Sequence, residues 1–71
     1  MHYITAQQGK RSVILAGPYK SESRAWEEIA LAYQHARTFE DAQDLTMYSV
    51  ELLPGLKTPG RLNMRGFGAV S

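Results

Sequence analysis

The sequence predicts a small α+β domain: a three-stranded antiparallel sheet with one helix packed on one face, in the order β-β-α-β. Three observations carry this. Two β-prone runs, HYITAQQ (2–8) and SVILA (12–16), flank Gly9-Lys10. Apolar residues then recur with a helical period from Ala25 to Ala36. Finally LTMYSVELL (45–53) alternates with a strand period before Pro54-Gly55 stops it.

The first pair of runs reads as a hairpin, with Gly9 supplying the positive φ of a type II′ turn. That register pairs Ala6 with Val13, Thr5 with Ile14 and Ile4 with Leu15. Facing residues share one side of a sheet, so Ile4, Ala6, Val13 and Leu15 form the core face. Tyr3, Thr5, Gln7, Ser12 and Ile14 form the outer face. Gly17-Pro18 is expected to break the second strand. Ser21 or Ser23 can cap a helix running from about Glu22 to Phe39, because a hydroxyl there accepts from a first-turn amide. Ala25, Ile29, Ala32, Tyr33 and Ala36 make its buried stripe, with Trp26 at the margin and largely covered. Three alanines on the stripe permit close approach to the sheet. EDAQD (40–44) is polar and acidic and ends the helix. In the last strand Tyr48, Val50 and Leu52 face inward, while Met47, Ser49 and Glu51 face outward.

Totals limit the function. Seventy-one residues make one domain near the lower size for a self-sufficient core. Eight Lys and Arg against seven Asp and Glu leave a net charge of +1, unlike a dedicated polyanion binder or an acidic nucleic-acid mimic. Without cysteine there is no disulfide, thiolate metal site or cysteine nucleophile. No run reaches the ~20 apolar residues of a membrane span, and MHYITAQQGKRS lacks the basic-then-apolar layout of a signal peptide. A cytoplasmic protein with no membrane contact is the expectation.

Candidate chemistry is sparse. LAGPYKS (15–21) precedes a helix but lacks the repeated glycines and Lys-Ser/Thr pair of a phosphate loop. His2 and His35 have no partner at metal-ligand spacing. Glu27, Glu28, Glu40, Asp41 and Asp44 read as a solvated helix edge and its exit loop. No nucleophile stands beside a base, so neither catalysis nor a metal or cofactor is expected.

Two surfaces remain. Tyr3, Ile14 and Met47 share the outer sheet face and can form an apolar patch for a partner or a second copy of the chain, unless the C-terminal segment folds over it. That segment is the second surface. Residues 1–53 read as the domain and 54–71 as a Pro/Gly-punctuated basic arm. The arm carries Lys57, Arg61 and Arg65 with no acid, interleaved with Leu62, Asn63, Met64 and Phe67. Cations beside an aromatic can contact phosphates and stack on bases. Its apolar residues also suit docking, with Leu62 and Phe67 as anchors.

Two resemblances attach to these residues. VILAGPYKSESRAWEEIA (13–30), about a quarter of the chain, resembles the strand-turn-helix segment of peptidoglycan-binding SPOR domains, which carry two β-α-β halves. The whole layout is more similar to small phage- and prophage-encoded proteins. These combine a strand pair, a GP-[FY] turn (here Gly17-Pro18-Tyr19), a helix, an aromatic strand (Tyr48) and a PG-x-L-N tail (Pro59-Gly60-Arg61-Leu62-Asn63). That resemblance implies an accessory role in the cytoplasm of an infected host and supplies no catalytic residue. The sequence therefore points to a non-enzymatic binding module that docks on a host or phage protein through Tyr3, Ile14, Met47, Lys57, Arg61, Leu62, Asn63, Arg65 and Phe67. The alternative is a weak nucleic-acid binder using the arm with Lys10 and Arg11.

Overall fold

The computed structural model describes residues 1–40, 43–54 and 60–67. Strands β1 (His2–Gln8), β2 (Arg11–Tyr19) and β3 (Leu45–Leu52) form one antiparallel sheet in the order β2-β1-β3, and helix α1 (Glu22–Ala36) packs on one face. The α+β class and the β-β-α-β order are those read from the sequence. β1, flanked on both sides, buries Tyr3, Ile4, Thr5 and Ala6.

The hairpin closes with Gln8 opposite Arg11 and Gly9 at φ 66°. Ala6 pairs with Val13 and Thr5 with Ile14, as expected. Beyond them the ladder shifts, and Ile4 faces Ala16 rather than Leu15. The extra residue is a β-bulge, which bends an edge strand and re-aims its side chains. β2 also runs through Gly17-Pro18, a cis peptide, to Tyr19, where the sequence predicted a break. Proline is tolerated there because β2 is an edge strand, whose outward positions need no ladder donor.

Ser21 is the helix cap: it is extended (φ −138°, ψ 157°) and its Oγ accepts from the Arg24 amide at 3.2 Å. Regular helix stops at Ala36, three residues before the expected Phe39. The Thr38 and Phe39 amides bond the His35 and Ala36 carbonyls at 3.1 Å, and the Thr38 hydroxyl also donates to His35 O at 2.7 Å. A Thr side chain that takes the backbone acceptor tightens a final turn rather than extending it.

Ala25, Ala32 and Ala36 are fully buried against Ile4, Ala6, Val13, Leu15 and Ala16. Ile29 is only partly buried; Tyr33, 43% exposed, leaves the core stripe assigned to it, and Trp26, expected at the margin and largely covered, is 47% exposed. In β3, Tyr48 and Val50 pack against the core as expected, but Leu52 at the strand end is 60% exposed. An irregularity in the β1–β3 ladder places Met47 at φ 54° between the Gln7–Thr46 and Thr5–Ser49 pairs. It also turns Leu45 inward, where it is buried.

The arm completes the core. The Arg61 and Leu62 amides donate to the Ile14 and Leu15 carbonyls at 2.9 and 2.7 Å, along the free edge of β2. Gly60 sits so close to that strand that a Cβ would collide with the Leu15 carbonyl and the Ala16 nitrogen. Leu62 and Phe67 are buried in the same cluster as the helix alanines. In the described residues, then, the segment after Pro54 shares one core with residues 1–53.

Candidate functional site

Helix width decides what stays open. A helix with its side chains is about 10–12 Å across, whereas three strands about 4.8 Å apart, with their side chains, need more cover than that. On the β2 side Leu62 and Phe67 fill the gap, and the His35 ring stands 5.3 Å from both Phe67 and Phe39. On the β3 side, among the described residues, no segment does the same. The flank between α1 and β3 remains exposed.

This flank is organised by α1. At 3.6 residues per turn, Glu22, Trp26, Tyr33 and Arg37 fall on one line beside the buried stripe. Trp26 Nε1 donates to Glu22 Oε2 at 3.1 Å, and Arg37 Nη1 donates to the Tyr33 hydroxyl at 3.1 Å. The Arg37 guanidinium also lies 5.6 Å from the Tyr33 ring centroid. Each exposed aromatic is thereby held by a charged side chain one turn away. Tyr48 reaches from β3 to meet Tyr33 edge-on, with centroids 5.1 Å apart at 80°. Below them a shallow cleft of about 280 Å³ is lined by Tyr33, Arg37, Gln43, Leu45 and Tyr48. Burial holds the Tyr48 phenol above its ordinary 10.0, reinforced by Tyr33 and opposed by Arg37. Its hydroxyl therefore keeps its proton at neutral pH and can donate.

The residues singled out from sequence do not gather into one surface. Tyr3 is fully buried, its ring laid over Gly17, where a Cβ would stand 2.5 Å from Tyr3 Cδ2. It cannot offer a contact surface. The outer-face patch is thus reduced to a half-buried Ile14 and a Met47 that is 78% exposed. Leu62 and Phe67 are core residues and are not free to anchor the arm elsewhere.

Asn63 is an internal clamp. Its Oδ1 accepts from the Gly17 amide at 2.9 Å and the Gly60 amide at 3.1 Å, while its Nδ2 donates to Phe67 O at 3.2 Å. Arg61 is half-buried, with Nη1 3.4 Å from Gln8 Oε1. Lys57 lies outside the described residues. Arg65 belongs to the 3-10 turn Asn63–Arg65, and its side chain is outside the description. Among the described residues no three His, Asp or Glu converge on a common point.

Sequence reasoning missed Trp26, Tyr33, Arg37 and Tyr48 as a set. The signal available was the i, i+7, i+11 spacing of Trp26, Tyr33 and Arg37, which puts two aromatics and a cation on one line. No family model, curated protein or solved structure matches the chain. No described helix is long and apolar enough to cross a membrane.

Proposed function

We propose that this chain is a non-enzymatic protein-binding module whose contact surface is the α1/β3 flank. One observation carries the reading: Trp26 and Tyr33, large aromatics that a domain of this size would ordinarily bury, stand half-exposed and anchored by Glu22 and Arg37. Trp, Tyr and Arg dominate the energetics of protein interfaces, and the two aromatics, being large and rigid, lose little entropy on contact. The resemblance to phage and prophage proteins adds a host or phage protein as partner and the host cytoplasm as location. Capture of binding partners by the tagged chain, compared with Trp26→Ser/Tyr33→Ser, tests it. Partners should be lost in the double variant and kept in Met47→Ser. Equal capture by all three would overturn the assignment of the flank.

A second reading has its own observation. The Arg61–Gln8 contact brings Arg61 to the hairpin end that carries exposed Lys10 and Arg11. Three cations there would give weak nucleic-acid binding that falls steeply with salt. Binding through the aromatic flank would not fall in that way.

A further inference from the structure

The α1 flank reads nearly the same from either end. Glu22 and Arg37 bound it and Trp26 and Tyr33 lie inside them. Each member of a pair is as far before the Ile29–Ala30 junction as the other is after it. Exposed Ala30, the smallest side chain on the line, sits next to that midpoint. β3 repeats the pattern, with Tyr48 and Leu52 to either side of Val50. The levels agree: Tyr48 touches Tyr33. From there to Val50 is about 6.6 Å of strand, close to the roughly 5 Å of helix between Tyr33 and the midpoint.

We infer that this flank is the interface of a two-fold homodimer, with α1 of one chain antiparallel to α1 of a second copy. The inference rests on the reading of the flank as a contact surface. A two-fold interface places one patch on itself, so the patch must be self-complementary. Antiparallel pairing sets Glu22 opposite Arg37 of the second copy, and Trp26 opposite its Tyr33. Parallel pairing would set Glu22 on Glu22 and Arg37 on Arg37, which like-charge repulsion disfavours.

The two charged groups are about 22 Å apart along their own helix, so they cannot pair within one chain. Each keeps capacity for a second partner: Glu22 through its other carboxylate oxygen, Arg37 through its remaining N–H groups. Ala30 allows the helices to approach closely at the axis. The bulge at Met47 interrupts the outer edge of β3, which discourages growth of the sheet along its full length. Side chains of the flank therefore carry the contact.

Sedimentation velocity over a dilution series of the full chain tests this. Trp26 gives a second signal, because the chain's single indole emits further to the blue once covered. The parent should be a dimer that dissociates on dilution, with a matching red shift. Glu22→Arg and Arg37→Glu should each weaken it about tenfold or more, by setting like charges opposite. The combined Glu22→Arg/Arg37→Glu chain should recover the parental constant, with far-UV circular dichroism confirming that every variant is folded. A parent that stays monomeric throughout, or a combined variant no better than the single ones, overturns the dimer. A monomeric parent whose partner capture still depends on Trp26 and Tyr33 would leave the flank standing as a surface for a different protein, so the two failures are distinguishable.

Discussion

Asn63 closes the arm with one side chain that serves two amides and one carbonyl. Asn63→Ala would strand the Gly17 and Gly60 amides in a part-buried site, where a lost partner costs about 1–3 kcal/mol. Urea denaturation should show a loss of that size, and a parental midpoint would mean that water replaces the side chain at no cost. From sequence Asn63 looked like a contact for a partner. Its real role depends on Gly17, 46 residues away, and no periodicity reports such a pairing. Tyr19 and Tyr48 make a second prediction at this scale. Both phenols are held above 10.0 in the folded chain, chiefly by burial. The neutral form is then the one that folding favours, so their contribution is complete below pH 10 and is lost as pH rises through the raised folded values. Tyr19→Phe/Tyr48→Phe should flatten the alkaline decline in stability, and an unchanged decline would place its origin elsewhere.

At the scale of the element, α1 approaches the sheet through Ala25, Ala32 and Ala36, all fully buried. Ala32→Leu should push the helix off the sheet and cost about 1–3 kcal/mol; a thermal melt at or above the parental midpoint would reveal unfilled space beneath the helix. The alanine stripe, the Ser21 cap and the hairpin turn were legible because each is a local pattern with a local cause. The width of the stripe was not. Tyr33 has the right period for the core, yet period fixes direction only to within a flank, and the sheet edge decides which flank is covered. β3 was legible in its inward Tyr48 and Val50 but not at Leu52, which pairs with His2 at the end of the sheet. The bulge near Leu15 and the irregularity at Met47 have no turn residue to announce them, so alternation was carried through both.

Across the whole molecule the arm matters most. A domain of 71 residues has a stability of only about 4–10 kcal/mol, and Leu62→Ala should remove about 2–5 of that. Truncation after Leu53 should therefore leave a chain with weakened near-UV dichroism and no cooperative melt, where sequence alone predicted an intact sheet and helix. A sharp melt in the truncated chain would show that residues 1–53 suffice. The Leu15–Leu62 bond has a consequence in time as well. The hairpin and helix form through near neighbours, but the ladder between Ile14–Leu15 and Arg61–Leu62 joins positions nearly fifty residues apart. Such long-range closure slows folding, because loop entropy is lost before contacts repay it. During synthesis the domain cannot seal until residue 67 has left the ribosome, so the apolar edge of β2 stays uncovered while most of the chain already exists. Chaperone engagement of nascent chains should persist up to that length and fall once Phe67 emerges.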